Sequence, residues 1–225
     1  MKVKLISYSQ PTQELQEKGI SDLSDLVAFC ARISNPSNQF NTETADKLLN
    51  YLIVNKHFSP FEMVSACLEI ETTRDIARQI LRHRSFSFQE FSQRYADPLK
   101  ELNLSIREAR FQDKNNRQNS IVVDYNNDEQ RQTAYQWEIL QQNIISQVRD
   151  AYNWAITKGI AKEQARAILP EGITKSVIHV NGTLRSWIHY CELRCENGTQ
   201  LEHIEIARAC AKVISNIYPQ MKVKA

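Results

Sequence analysis

Residues 82–95 have the sequence Arg82-His83-Arg84-Ser85-Phe86-Ser87-Phe88-Gln89-Glu90-Phe91-Ser92-Gln93-Arg94-Tyr95. From Arg74 to Arg94 the chain carries five arginines and no lysine, and its only acids there are Asp75 and Glu90. Arginine without lysine favours planar, bidentate recognition of carboxylate or phosphate. Alternating serines and aromatic residues add hydroxyl donors and flat stacking faces. The segment suits an anionic, ring-bearing ligand such as a nucleotide, although a solvated basic helix end followed by a turn fits its composition equally well.

The residues before this segment predict the helix that supports it. Thr72-Thr73 supplies a cap, and the apolar spacing predicts a helix that ends near Arg84. Arg74, Arg78 and Arg82 then share one stripe, whose like charges an anion or an acidic partner would offset. The period-two pattern of residues 85–91 is not helical and predicts a functional loop leaving the helix.

The rest of the chain predicts an α/β (α+β) protein, with several helices around a small, mostly antiparallel sheet in a single domain over residues 1–225. Strands are expected at 2–8, 63–70, 103–111 and 173–180, and an exposed loop at 112–127. Helices are expected at about 21–33, 42–56, 127–158, 161–169, 184–194 and 199–217, with Ser21 or Ser24 capping the first and a turn at Asn181-Gly182-Thr183 before the fifth.

The helix predicted at 127–158 carries an apolar stripe that includes Trp137, Leu140, Ile144, Val148 and Ala155. Roughly thirty residues at about 1.5 Å each give a helix of about 45 Å, which one small core cannot cover. Part of this helix is therefore expected to pack on another subunit.

Composition narrows the class of protein. Hydrophobic content is 42% and the formal net charge is +2 at pH 7, so no broad basic surface is available for nucleic acid. The five cysteines form no CxxC pair and predict buried thiols in a reducing cytoplasm. Apolar runs are too short for a signal peptide or a membrane span. We expect a cytoplasmic protein that binds neither nucleic acid nor membrane.

Several standard sites are missing from the sequence. The five glycines form neither GxGxxG nor a Walker loop, and the five histidines show no HExxH spacing. No metal site is predicted. A dinucleotide would have to be held by arginines and side-chain donors.

Two further segments offer functional side chains. His57, Ser59 and Glu62 fall within one short turn and could act together. A single histidine in a loop, however, more often has no functional role. In the helix at 184–194, Arg185 and His189 lie within about 40° of each other, whereas Arg194 lies about 180° from Arg185. This helix can present cations to two ligands, and snorkelling arginines of an amphipathic helix fit the same pattern.

Arg82-His83-Arg84, followed after seven residues by Ser92, reproduces the R-H-R-x7-S signature of the flavin-dependent thymidylate synthases, which this chain resembles from about Ala31 to Ile217. The resemblance implies reductive methylation of dUMP, with methylenetetrahydrofolate as carbon donor and FAD, reduced by NADPH, as hydride carrier. It also implies a homotetramer with sites at subunit interfaces. The positions it implies for FAD are His57, Ser59, Glu62, Arg82, His83, Arg84, Ser85, Glu90, Asn181, Arg185 and His189.

The resemblance also implies a dUMP site. Arg194 is the candidate catalytic residue, because a guanidinium near the N3/O2 edge would stabilise negative charge developing in the ring. Ser92 is interpreted as a phosphate ligand; a nucleophile is the alternative, but no base is paired with it in sequence. The implied substrate-binding positions are Gln79, Arg82, Glu90, Ser92, Gln93, Arg94, Arg166 and Arg194.

The chain departs from the family pattern at two positions. Gln89 stands where many relatives have Asn, and Gly198 stands where a histidine usually follows the Arg194 position. Two other functions remain possible from the residues alone. One is a small nucleic-acid-binding module that uses the arginines of residues 74–94, and the other is a structural oligomer whose arginines pair with a partner's acidic helices.

Overall fold

Four antiparallel strands form the central sheet of the computed structural model, which describes residues 2–196 and 198–219. They are β1 (Lys2–Tyr8), β2 (Ser65–Thr73), β3 (Phe86–Glu90) and β6 (Lys175–Thr183), in the order β1-β2-β6-β3. A separate hairpin pairs β4 (Arg110–Gln112) with β5 (Ser120–Val122). The predicted mixed fold with a small antiparallel sheet is confirmed, and residues 1, 197 and 220–225 of the predicted domain lie outside the described residues.

Helices surround this sheet. They are α1 (Gln13–Glu17), α2 (Leu23–Ala31), α3 (Ala45–Val54), α4 (Arg74–Ile80), α5 (Pro98–Glu101), α6 (Asp128–Thr157), α7 (Lys162–Ala165), α8 (Leu184–Arg194) and α9 (Leu201–Ser215), with 3-10 turns at Pro36–Asn38, Ser59–Glu62 and Arg166–Ile168.

The core lies on one face of the sheet. Leu68 and Ile70 of β2 and Val180 of β6 are fully buried, because alternate residues of a strand point to the same side. They pack with Trp187 of α8, whose Nε1 donates to the carbonyl of Ala66 at 3.0 Å. Burying each such aliphatic side chain contributes roughly 1.5–3 kcal/mol. The core thereby fixes α8 against the two central strands.

The region around the signature differs from the sequence prediction. α4 ends at Ile80, not near Arg84, because the amides of Arg82 and His83 bond back to the carbonyls of Gln79 and Ile80 in tight turns. Arg82 therefore lies beyond the helix and does not extend the stripe of Arg74 and Arg78. The segment interpreted as a loop contains the edge strand β3, which is paired along its length with β6.

Asn181-Gly182-Thr183 forms the last part of β6, so the turn predicted there is wrong. Gly182 lies opposite Phe86, whose ring occupies the space that a Cβ of residue 182 would need. Glycine is thus required here for packing and not for a turn. Thr183 caps α8 as expected, since its Oγ1 accepts from the backbone N–H of Ser186 at 3.3 Å.

Three other boundary predictions need correction. Asp22, and not Ser21 or Ser24, caps α2, because its carboxylate accepts from the amide of Asp25 at 2.8 Å. The strand expected at 103–111 shrinks to β4 and one isolated bridge, Leu104 with Thr174. The exposed loop expected at 112–127 contains β5.

α6 has the predicted length, and Asn127 caps it, since its side chain accepts from the amide of Gln130 at 3.1 Å. Its inner face differs from the prediction. Gln141 is buried and binds both the N–H and the C=O of Arg107, and Trp137 Nε1 donates to the same carbonyl at 3.0 Å. Residues of the expected stripe that stay exposed include Trp137, Leu140 and Ile144.

The described residues contain neither a membrane-spanning helix nor a cluster of metal ligands. None of their helices combines the length and the hydropathy that crossing a bilayer requires. Likewise, no group of three or more His, Cys, Asp or Glu side chains among them is arranged to hold a metal ion. All five cysteines carry free thiols, but Cys30, Cys67 and Cys195 are only partly buried, which corrects the expectation that all five are buried.

Candidate active site

Arg194, the last residue of α8, contacts the R-H-R-x7-S signature through a hydrogen bond. Nε of Arg194 donates to Nε2 of His83 at 2.9 Å. Burial, reinforced by the positive charges of Arg194 and Arg82, lowers the pKa of His83 to about 4. The imidazole is therefore neutral near pH 7 and can accept this hydrogen bond. Arg194 pairs with no carboxylate in the part of the chain that the structure describes, so its terminal N–H groups are available to a ligand.

Aromatic packing holds His83 in place. Its ring meets the edge of Tyr190 at a centroid distance of 5.0 Å and that of Phe86 at 6.4 Å. Tyr190 lies one turn before Arg194 on α8 and is buried. The tight turn after α4 and the packing of α8 thus bring His83 and Arg194 together.

Arg82, Arg84 and Ser85 surround this pair. Both arginines are exposed, and neither forms an ion pair within residues 2–196 and 198–219. Ser186 Oγ donates to the carbonyl of Ser85 at 3.2 Å, which ties the segment to the first turn of α8. Two guanidinium groups therefore remain free to bind an anion beside His83.

A second group of predicted flavin residues lies at the amino-terminal half of α8. Arg185 forms an ion pair with Glu62, and the ring of His189 contacts Phe58 at a centroid distance of 4.5 Å. The 3-10 turn that carries Glu62 also carries Ser59 and follows His57, and the N–H of Leu184 bonds to the carbonyl of Val64. The structure therefore packs the turn of Ser59 and Glu62 against the helix of Arg185 and His189, and His57 and Ser59 line a cavity beside α2 and α3.

Asn181 adds an amide to these residues from the exposed face of β6, opposite Cys67 on one side and Ser87 on the other. Guanidinium groups and side-chain hydrogen-bond donors at both ends of this region suit a dinucleotide that carries phosphates and polar rings. The residues present therefore fit a flavin dinucleotide, without a glycine-rich loop.

The predicted phosphate residues form a separate cluster beyond β3. Ser92 Oγ accepts from the backbone N–H of Arg94 at 3.3 Å, and Arg94 contacts Glu163 at 3.4 Å on the surface. Gln93 is buried, and its Nε2 has no hydrogen-bond partner among the described residues. A buried amide donor without a partner costs stability, and an acceptor that reached this nitrogen would remove that cost.

Glu90 is engaged within the chain. Its carboxylate lies 3.4 Å from Arg74 Nη1 and 3.1 Å from Arg78 Nη1, and it accepts from Ser176 Oγ at 2.9 Å. The carboxylates of Glu90 and Glu171 thus offset the charges of Arg74 and Arg78 without a bound anion. Arg166 also influences this group, since its charge is among those that lower the pKa of Arg74, although burial lowers it most.

The sequence analysis did not identify His203 and Gln200, the hydrogen-bond partners of Gln79. His203 is fully buried between Gln79 and Tyr190, and Gln79 also donates to Gln200 at 2.8 Å. The available signal was a histidine on the apolar face of α9, together with Ile206, Ala207 and Cys210. That pattern alone indicates a buried histidine and does not reveal its partners.

The two clusters lie at opposite ends of β3. His83, which Arg194 contacts, precedes the strand, whereas Ser92, Gln93 and Arg94 follow it. At about 3.3 Å per residue, the five-residue strand separates its two ends by roughly 13 Å. The structure thus brings the first group together around α8 and keeps the phosphate group apart from it within one chain.

Comparison with known proteins agrees with the signature. The family described as thymidylate synthase complementing protein matches residues 18–220. A probable flavin-dependent thymidylate synthase of Paramecium bursaria Chlorella virus 1 is 47% identical over 221 residues, covering 98% of this chain and 97% of the relative. The flavin-dependent thymidylate synthase of Synechocystis sp. is 43% identical over 219 residues, covering 97% of this chain and 96% of the relative.

The fold also matches a solved structure. A UMP/dUMP methylase from Streptomyces cacaoi, crystallised with 5-Br dUMP, has a TM-score of 0.75 at 21% identity, covering 98% of this chain and 92% of its own. At that identity the likeness establishes the fold alone. The matches along nearly the whole chain show that it belongs to the flavin-dependent thymidylate synthase family and is an enzyme of that class.

Proposed function

We propose that this chain methylates dUMP at C5 to give dTMP, with methylenetetrahydrofolate as carbon donor and NADPH as reductant. Bound FAD supplies the hydride. Family membership supports the reaction class, and a protein of the same fold is named as a UMP/dUMP methylase bound with 5-Br dUMP. The assignment of this chain's side chains rests on the positions described above.

The observation that carries the proposal is the hydrogen bond between Arg194 and His83. C5 becomes nucleophilic when negative charge develops in the uracil ring, and a fixed guanidinium at the N3/O2 edge stabilises that charge. His83 is neutral and holds Nε of Arg194, which leaves the terminal N–H groups to face the ring. Arginine keeps its charge at any relevant pH.

The state of the cysteines supports a route without a thiolate nucleophile. Burial raises the pKa of the Cys191 and Cys210 thiols, which therefore stay protonated near neutral pH. Ser92 has no base among its hydrogen-bond partners within the described residues, so we assign it to phosphate binding.

We assign the remaining binding roles from the two groups of residues described above, the phosphate cluster beyond β3 and the group around Arg194. The phosphate is bound by Ser92, Arg94, Arg166 and the Gln93 backbone N–H, and the orphan Gln93 side chain gains a partner there. Sugar and base are bound by Gln79, Arg82, Glu90 and Arg194. The flavin is bound by His57, Ser59, Glu62, Arg82, His83, Arg84, Ser85, Glu90, Asn181, Arg185 and His189.

We further propose a homotetramer in which each site combines residues of neighbouring subunits. Two features support it: the phosphate cluster and the Arg194 cluster lie at opposite ends of β3, and α6 presents Trp137, Leu140 and Ile144 to solvent. We place the reaction in the cytoplasm, because free thiols suit a reducing compartment.

Colour provides the first test. Purified protein is expected to be yellow and to lose that colour with NADPH. A colourless protein that shifts DNA in a salt-dependent manner would instead support the nucleic-acid-binding alternative. That alternative is disfavoured by the ion pairs that Arg74 and Arg78 already form with Glu90 and Glu171.

A further inference from the structure

A continuous chain of hydrogen bonds connects Tyr190, through buried His203, to Gln79, Gln200 and Glu202, next to the candidate site. Tyr190 Oη lies 3.1 Å from Nε2 of His203, and Nδ1 of His203 lies 3.1 Å from Oε1 of Gln79. Gln79 Nε2 donates to Gln200 Oε1 at 2.8 Å, and Gln200 Nε2 donates to Glu202 at 2.9 Å. The chain links four elements: α8, α9, α4 and the turn before α9.

The partners determine where each proton lies. Glu202 is held by Arg110 and accepts from Gln200, so Gln200 presents its oxygen to Gln79. Gln79 then presents Oε1 to His203, which requires a proton on Nδ1 of that imidazole. Nε2 of His203 must consequently accept from the hydroxyl of Tyr190. One arrangement of donors satisfies every link.

Burial keeps the chain in this state. His203 is fully buried, and burial together with the charges of Arg194 and His83 lowers its pKa to about 3. Burial also raises the pKa of the Tyr190 phenol well above its ordinary value. The imidazole therefore stays neutral and the phenol stays protonated across the physiological range.

Each ring nitrogen of His203 bonds to a residue that borders the candidate site, Tyr190 on one side and Gln79 on the other. Tyr190 packs its ring edge against His83, which accepts the hydrogen bond from Arg194. Gln79 uses one lone pair for His203 and one N–H for Gln200, so one acceptor position and one donor remain in fixed directions. Without His203, the Gln79 amide could flip and exchange these positions.

We propose that His203 is a positioning residue that fixes the orientation of the Gln79 amide and of the Tyr190 hydroxyl, and thereby the hydrogen-bonding edge offered to the uracil ring. The inference deepens the proposed function and rests on it. His203 acts through its two neighbours and does not itself touch substrate.

The tautomer of His203 can be observed directly. Nitrogen-15 NMR of histidine-labelled, FAD-supplied full chain is expected to show two neutral imidazoles protonated on Nδ1 at neutral pH, those of His83 and His203. The signal that disappears in His203→Asn belongs to His203. A cationic ring, or a ring protonated on Nε2, would overturn the proposal. Because this measurement needs no nucleotide, it is independent of whether the chain turns over dUMP.

Two variants separate positioning from folding. His203→Leu removes both hydrogen bonds at similar volume, whereas His203→Asn keeps a donor toward Gln79. In folded protein with wild-type flavin content, we expect His203→Leu to raise KM for dUMP about tenfold, the effect of one lost buried hydrogen bond, with a smaller change in kcat. His203→Asn should recover most of the loss in KM.

Other outcomes contradict the inference. If both variants lower only thermal stability and leave KM unchanged, His203 is a core residue and nothing more. If Tyr190→Phe, which removes only the donor to Nε2, leaves the Nε2 resonance of His203 unshifted, Nε2 accepts no hydrogen bond from Tyr190 and the assigned donor order is wrong. If wild-type chain binds no dUMP in calorimetry, the proposed function fails, and the tautomer result still decides whether the chain of hydrogen bonds exists.

Discussion

Arg194 Nε lies 2.9 Å from Nε2 of His83, although 111 residues separate them in the sequence. The contact joins the end of α8 to the centre of the R-H-R-x7-S signature. Because His83 is neutral and half-buried, it accepts a hydrogen bond and does not repel the guanidinium. The fold thus holds one arginine with its terminal N–H groups free, beside two further exposed arginines.

Replacing Arg194 by alanine tests its assigned role. Loss of a fixed donor to developing negative charge costs about a hundredfold or more in kcat. We therefore expect turnover to fall at least that far while the flavin, bound mainly by other residues, is retained. Steady-state rates and the flavin absorbance measure both quantities. Arg208→Ala, on the exposed side of α9, is the matched control, and unchanged turnover in Arg194→Ala would refute the role.

Replacing Ser92 by alanine distinguishes binding from attack. A lost hydrogen bond to a charged phosphate is worth about 1.5–3 kcal/mol, so Kd for dUMP should rise roughly ten- to a hundredfold with measurable activity remaining. Calorimetry and saturating-substrate rates measure this, with Ser87→Ala on the exposed face of β3 as control. Complete inactivity with normal binding would revive Ser92 as a nucleophile.

Gly182 is expected to be intolerant of a methyl group. A Cβ there would overlap the Phe86 ring, and such overpacking costs about 1–3 kcal/mol in the free energy of unfolding. Gly172→Ala is the control, since a Cβ at that position would meet nothing within 4 Å. Urea denaturation measures both. Equal stability of the two variants would contradict the packing described for β3 and β6.

Stability should decrease in mild acid. The pKa values of His83 and His203 are lowered from 6.5 to about 4 and about 3, so the unfolded chain binds more protons than the folded chain between those values. The free energy of unfolding therefore rises with pH across this window and falls as pH drops below 6.5.

Denaturation midpoints measured from about pH 4 to pH 7 test this dependence. His203→Asn should flatten the pH dependence, whereas His179→Asn, on the exposed face of the sheet, should leave it unchanged. Identical slopes in both variants would mean that buried histidines do not cause it.

The elements that the sequence predicted correctly are those marked by neighbouring residues, such as a helix cap, a helical apolar period or a strand alternation. α6 and α8 were placed to within a residue or two, because each combines a side-chain cap with a helical apolar period. The strand β2 followed from the alternation of Ala66, Leu68 and Ile70. The signature and Arg194 were singled out from residue types and the family resemblance, and the structure brings Arg194 to the central histidine of that signature.

What depends on distant partners could not be predicted. β3 was interpreted as a loop because its pairing strand begins 85 residues after its own last residue, Glu90, and Gly182 was assigned to a turn because Phe86 is far away in sequence. The inner face of α6 was misplaced because Gln141 binds the backbone of Arg107. His203 was missed because a histidine on an apolar helix face gives no sign of its hydrogen-bond partners.

Product formation tests the central claim most directly. Purified chain with FAD, NADPH, methylenetetrahydrofolate and dUMP should form dTMP, identified by mass spectrometry, and formation should stop when FAD is removed or when Arg194 is replaced by alanine. If the folded, flavin-loaded chain forms no dTMP, or forms it equally well in Arg194→Ala, the assignment of the reaction to this site is contradicted.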